Sequence, residues 1–172
     1  MALSTYVVSL AQPTTTGNQG YTGVGFTPKL IFFYWNVQTA DGNGAGYDMG
    51  FGVAISTTDR RAMHLRSNDA AIEGTGQTRA DNTKCITIIN SAGTVLAAAD
   101  LVSLDADGFT LNWTSADATQ RVINYLAIGG TDITNVKSGT FADKTTTGNQ
   151  SYTDPGFQPD SVLFFYPHDT ST

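Results

Sequence analysis

One stretch of this chain occurs twice. Thr14-Thr15-Thr16-Gly17-Asn18-Gln19-Gly20-Tyr21-Thr22 returns as Thr145-Thr146-Thr147-Gly148-Asn149-Gln150-Ser151-Tyr152-Thr153, an offset of 131 positions. The match runs on without a gap, Gly25-Phe26-Thr27-Pro28 against Gly156-Phe157-Gln158-Pro159 and Leu30-Ile31-Phe32-Phe33-Tyr34 against Ser161-Val162-Leu163-Phe164-Phe165. Agreement held in register over this length marks a duplication. Its period exceeds the roughly 20 to 50 residues of a solenoid unit and suits a whole domain. The expected organisation is one domain over residues 1–136 and the start of a second copy over 137–172. That second copy reads as a strand pair, which alone is marginal in water. It therefore lies on the first domain, exchanges with a neighbouring subunit, or opens a longer repeat.

Composition sets the class of that domain. Hydrophobic residues make up 40% of the 172, enough for a core. Charged residues make up only 14%, against about 25% in an ordinary soluble domain. Thr, Ser, Asn, Gln and 18 Gly take their place, the composition of short strands joined by polar turns. A net charge of −6 and no basic cluster longer than Arg60-Arg61 leave nothing to displace the counterions of a nucleic acid. The single cysteine, Cys85, sits in the strand-like run Lys84-Cys85-Ile86-Thr87-Ile88 and reads as a buried, inert thiol. Met1 to Val8 lacks the basic and apolar regions of a signal peptide, and no apolar run is long enough to span a bilayer. The expectation is assembly in a cytoplasm, or an export that this sequence does not encode.

Along the chain, strands are expected at 6–10, 29–35, 49–56, 61–66, 83–89, 94–104, 109–114 and 121–128, with no amphipathic helix. Residues 14–19 read as a polar turn, 36–47 as an exposed loop and 67–82 as a long polar segment without period. The continuous apolar run Leu30–Trp35 suggests a strand covered on both faces. Gly50 and Gly52 alternate with Phe51 and Val53, which would let an aromatic ring or a second sheet come close. Asn90-Ser91-Ala92-Gly93 and Asp105-Ala106-Asp107-Gly108 read as hairpin turns. The fold expected is an all-β, antiparallel β-sandwich of jelly-roll type.

Reactive chemistry finds little support. Asp105-Ala106-Asp107-Gly108 resembles the opening of a calcium loop, but lacks the later acidic ligands and places Gly too early. His64 and His168 are the only histidines; no metal spacing surrounds them, and a Ser–His–Asp triad around His64 is merely permitted. Gly42-Asn43-Gly44-Ala45-Gly46 has neither the spacing nor the following helix of a phosphate cradle. Glycosidases need paired carboxylates, whereas Glu73 is the only glutamate and the aspartates occupy turns. No catalytic residue, cofactor or metal ligand is expected. Arg60, Arg61, Arg66 and Arg79, four of nine basic residues, are candidates for pairing with acidic patches of a neighbour or for solvated surface charge. Tyr21, Tyr47 and Tyr152 suit either sugar stacking or a protein interface, and Phe157 joins them as an interface candidate.

The strings Thr16–Pro28 and Thr147–Pro159, Ser103-Leu104-Asp105-Ala106-Asp107-Gly108-Phe109-Thr110-Leu111-Asn112, and Asn124-Tyr125-Leu126-Ala127-Ile128-Gly129-Gly130 together resemble a group of tailed-bacteriophage structural proteins built from repeated β-domains. The resemblance covers most of residues 6 to 166. It departs at Asp154-Pro155, where the first copy has Gly23-Val24. It implies a non-enzymatic protein of the virion surface that decorates or projects from the capsid. The implied assembly is a homotrimer, with other capsid or tail proteins as partners. The alternative is a tail-fibre or receptor-binding module that recognises host surface glycan through loops 36–47 and 67–82.

Overall fold

Ten strands and no helix make up the computed structural model, which describes residues 2–44, 46–67 and 76–166. The strands are β1 (Leu3–Ala11), β2 (Gly17–Thr22), β3 (Pro28–Trp35), β4 (Tyr47–Ala54), β5 (Arg60–Ser67), β6 (Gln77–Asp81), β7 (Ile86–Ile89), β8 (Val95–Asp105), β9 (Gly108–Ser115) and β10 (Val122–Gly130). They form two antiparallel sheets packed as a sandwich. The first has the order β1-β10-β3-β4-β5-β6, the second β2-β9-β8-β7. Within β3–β6 and β7–β9 consecutive strands are neighbours, so each sheet is largely a meander. The exceptions are β1 and β2, whose partners β10 and β9 come from the far end of the domain.

Period-2 alternation places the core. Ile31, Phe33 and Trp35 of β3 and Ile123, Tyr125 and Ala127 of β10 point inward and are buried. From the second sheet Phe109, Leu111 and Trp113 of β9 meet them. Phe109 is the hub. Its ring packs edge-on against Phe33 (5.8 Å) and Tyr125 (5.0 Å) and stacks on Tyr21 (5.2 Å).

The glycine expectation on β4 holds at both positions. A Cβ on Gly50 would stand 2.0 Å from the Trp35 ring, and one on Gly52 would stand 1.8 Å from the Cys85 carbonyl oxygen. Both hairpin turns also form as expected. The Asn90 side-chain oxygen accepts from the Ala92 and Thr94 amides, both at 2.9 Å, and Gly93 takes a φ of 79°. Gly108 opens β9 with a φ of 149°, and its missing Cβ leaves room for the Tyr21 carbonyl.

Several expectations need correction. Residues 17–19, read as a turn, begin strand β2, a polar strand held by its ladder to β9. Gln77–Asp81, inside the segment read as irregular, is edge strand β6; residues 68–75 of that segment, with Glu73, lie outside the described residues. The strand expected from 83 starts only at Ile86. Leu30–Trp35 is not covered on both faces: Leu30 and Phe32 are half-buried and Tyr34 is exposed on the side away from the core.

No strand forms in residues 131–166. Two glycine backbone conformations nevertheless repeat with the sequence: Gly17 and Gly148 share a φ of 124°, and Gly25 (83°) has its counterpart in Gly156 (75°). The reason the ladders do not repeat lies in the topology. β1, β2 and β3 pair with β10, β9 and β4, and never with one another. Among the described residues the C-terminal copy carries sequence equivalents of β2 and β3 and no second set of the strands they pair with.

Because backbone oxygen, not a flexible side-chain tip, occupies the space beside Gly52, Gly52→Ala should destabilise the domain by about 3 kcal/mol. Gly76→Ala, with nothing within 4 Å, should stay within about 0.5 kcal/mol of the parent. Urea denaturation followed by tryptophan fluorescence measures both.

Candidate interaction surface

The polar groups that could have served chemistry are engaged in holding the two sheets together. His64 on β5 is fully buried. Its Nδ1 accepts the Ile89 backbone N–H of β7 at 2.9 Å, which leaves the ring proton on Nε2, 2.8 Å from Asp48 Oδ1. Arg66 continues the cluster, donating from Nη1 to the Ile89 carbonyl (3.1 Å) with its Nε 3.4 Å from Asp48 Oδ2. A His–Asp pair therefore exists, but the place a nucleophile would take beside Nδ1 is filled by a backbone amide. This is a satisfied core histidine that ties β5 to β7. His168 lies outside the described residues.

Asp107, the centre of the calcium-like turn, is engaged in the same way. Its carboxylate accepts the amides of Gly23 (3.0 Å) and Gly25 (2.5 Å), and its carbonyl accepts from Val24 (3.3 Å). Among the described residues no group of three or more His, Cys, Asp or Glu side chains could hold a metal ion. Cys85 is buried, its thiol donating to the Ala99 carbonyl at 3.3 Å, and burial pushes its pKa up to about 12. Tyr21 is no loop tyrosine. It sits on β2 against the core, where its hydroxyl accepts the Trp113 indole N–H at 3.0 Å and burial again pushes its pKa to about 12.

A buried cluster that sequence reading missed closes one end of the sandwich. Arg121 donates to Gln12 Oε1 (3.1 Å), Asp117 Oδ1 (2.8 Å) and the Thr119 carbonyl (3.2 Å). Partial burial would raise the Asp117 pKa, but the hydrogen bonds from Arg121 and Gln12 and the Arg121 charge outweigh it and hold it below the usual value. Gln12 and Arg121 are far apart in the chain, so no local spacing announces them.

The four candidate arginines lie together on β5 and β6, and each has a partner within the chain. Arg60 donates to the Thr83 carbonyl and lies 3.7 Å from Asp100. Arg61 donates to the Arg60 carbonyl at 2.6 Å, and Arg79 sits 3.5 Å from Asp81. Tyr47 opens β4 and is exposed. Tyr152 and Phe157 stand apart from this group, in the C-terminal copy, where Tyr152 packs on Phe141 at 4.4 Å and Phe157 is half-buried.

The outer face of the first sheet carries much of the remaining apolar surface. On the side of the six-stranded sheet that faces away from the core, one cross-strand row reads Val7, Leu126, Phe32 and Val53 before ending in Arg61, and the next runs from Ser9 and Asn124 to Tyr34, Phe51 and Met63. An antiparallel sheet facing water normally alternates polar residues there. The C-terminal copy runs onto this face. Lys29 donates to the Ile133 carbonyl, and the Ser138 amide donates to Asp59 at 3.2 Å. Phe165 then stacks on Phe51 at 4.7 Å, near Phe32 at 6.4 Å. Its neighbours Val162, Leu163, Phe164 and Tyr166 are 56–80% exposed, whereas Ile31, Phe33 and Trp35, the first-copy equivalents of Val162, Phe164 and Tyr166, are at most 3% exposed.

Two open clefts accompany this surface. One, of about 330 Å³, lies between the edge strands β1 and β2 and is lined by Tyr6, Val8, Leu10, Tyr21 and Tyr125. The other, of about 170 Å³, is polar, with Asn36, Gln38, Asp41 and Asn124 at the 36–44 loop. No family model, curated protein or solved structure matches the chain.

Removing the imidazole would strand the Ile89 amide and the Asp48 carboxylate, so His64→Leu should cost about 3 kcal/mol in chemical denaturation. Cys85, Tyr21 and Tyr125 all have raised folded-state pKa values, near 12, set by burial. The folded state thus keeps protons that the unfolded chain gives up. Their contribution is fully present below the unfolded-state values of about 9 to 10 and is lost as pH rises toward 12. Melting temperature measured across that window should fall, and Tyr21→Phe should flatten part of the slope.

Proposed function

We propose that this chain is a non-enzymatic structural protein on the exterior of a tailed-bacteriophage particle, decorating or projecting from the capsid and acting through protein–protein interfaces as a homo-oligomer. The observation that carries the reading is the contrast just described. Polar and titratable side chains such as His64, Asp48 and Arg121 are engaged within the domain, and exposed Asp107 is taken up by the Gly23 and Gly25 amides, while Val7 and Tyr34 on the outer face of the six-stranded sheet and the Val162–Tyr166 segment are exposed apolar and aromatic side chains. Exposed apolar area of this kind marks an interaction surface. The duplicated sequence and its resemblance to repeated phage β-domains give that surface a setting. A trimer is the assembly that the resemblance implies.

Purified particles from the phage that encodes the chain test the reading. The chain should co-sediment with intact particles through a density gradient, and antibody to it should label their outside in electron micrographs. Absence from purified particles overturns the proposal.

A second reading is favoured by the polar cleft at the 36–44 loop. Its amides and carboxylate, Asn36, Gln38, Asn124 and Asp41, are the groups that hydrogen-bond sugar hydroxyls, which suits a receptor-binding module for host surface glycan. A glycan array should then show saturable binding that Asn124→Ala abolishes. A flat array removes this reading.

A further inference from the structure

β1 is an edge strand. It pairs with β10 on one side only, so alternate backbone N–H and C=O groups face away from the sheet. It is nine residues long and carries exposed Leu3, Val7 and Val8. A long apolar edge of this kind is a template for a further strand. Beside it opens the 330 Å³ cleft toward β2, whose floor and walls include Tyr6, Val8, Leu10 and Tyr125. A strand laid along the β1 edge would place its inward side chains over that cleft.

The same chain carries such a strand. Val162–Tyr166 aligns with Ile31–Trp35 of β3, a central strand of the sheet to which β1 belongs. Its side chains alternate in the same sense. Val162, Phe164 and Tyr166 match the core-facing set, while Phe165 matches outward-facing Tyr34 and does pack on the outer face, against Phe51. Among the described residues the core-facing set packs on no sheet; Phe164 meets the Phe141 ring edge-on at 5.7 Å, and the three stand 56%, 61% and 80% exposed.

We propose that copies of this chain associate by strand addition: Val162–Tyr166 of one copy pairs with the free edge of β1 in a second copy and inserts Phe164 into the cleft between β1 and β2. The geometry is self-consistent, because successive side chains of a strand point to opposite faces. Phe165 can remain on Phe51 of its own domain while Phe164 enters the partner. Main-chain hydrogen bonds supply affinity and the aromatic pocket supplies register, as in other cases of β-strand addition. Donor and acceptor surfaces differ, so the contact is heterologous. It closes into a dimer when reciprocal or into a ring when passed head to tail. The inference rests on the reading of the chain as an interface-forming protein and specifies which surfaces meet.

Light scattering behind size-exclusion chromatography, run on the full chain over a wide concentration range, tests it. The wild type should be an oligomer that dissociates on dilution. Phe164→Glu should abolish the oligomer while changing the melting temperature by no more than Phe141→Ala does, since Phe164 is 61% exposed and its ring contact within the chain is an edge-on one with Phe141 at 5.7 Å. Val8→Asp, which places a charge in the acceptor cleft, should abolish it too. Mixing the two variants should restore a heterodimer, because each keeps the surface the other has lost. Should Val8→Asp fail to fold, a labelled Gln158–Tyr166 peptide should bind the Phe164→Glu chain saturably. A monomeric wild type, an unrestored mixture of folded variants, or a peptide that does not bind overturns strand addition. The particle experiment decides the virion reading separately, so failure of one is not failure of the other.

Discussion

The arrangement depends most on β10. It lies between β1 and β3, laddered to β1 from Leu3↔Gly130 to Ala11↔Val122 and to β3 from Trp35↔Ile123 to Pro28↔Gly129. Without it the first sheet is two disconnected pieces. The inward side chains of β10 also complete the aromatic centre, since Tyr125 closes the set formed by Phe33 and Phe109. Backbone pairing and core packing thus come from one strand, which gives the N-terminal strands their places.

This dependence explains why the same sequence has two fates in one molecule. Ile31, Phe33 and Trp35 are core because β10 and β4 flank their strand and the second sheet covers it. Val162, Phe164 and Tyr166 have the same alternation and size but neither flank nor cover. Propensity alone does not make a strand. A strand is a relation between segments, and the duplicated residues carry only one side of it.

Reading from the sequence succeeded where local chemistry decides the structure. The turns at Asn90–Gly93 and Asp105–Gly108 are written in Asn, Asp and Gly, and the flanking alternation Phe109, Leu111, Trp113 identifies a buried face. Gly50 and Gly52 announced a close approach, and Trp35 and Cys85 supply it. β2 and β6 escaped because Gly17-Asn18-Gln19-Gly20 and Gln77-Thr78-Arg79 have no apolar period; both are edge strands fixed by a neighbour's backbone. The His64–Asp48–Ile89 and Arg121–Gln12–Asp117 clusters were illegible for a different reason. Gln12 and Arg121 meet only when β1 pairs with β10 across the length of the domain, and His64 reaches Ile89 only once the second sheet is stacked on the first; half of the hydrogen-bonding groups at His64 are backbone.

The late position of β10 has a kinetic consequence. A chain synthesised from its N-terminus exposes β1 and β2 long before their partners β10 and β9 exist, and one edge of β3 stays open until β10 arrives, through most of translation. Pairings between the two ends of a domain are slow to close because the intervening loop must be gathered first. The nascent chain can assemble β3 to β6 and β7 to β9 as local hairpins in the meantime, leaving the insertion of β10 between β1 and β3 as the committing step. The C-terminal copy leaves the ribosome only after that step can occur, and this order keeps a segment of the same alternation away from the β3 slot while it is being filled.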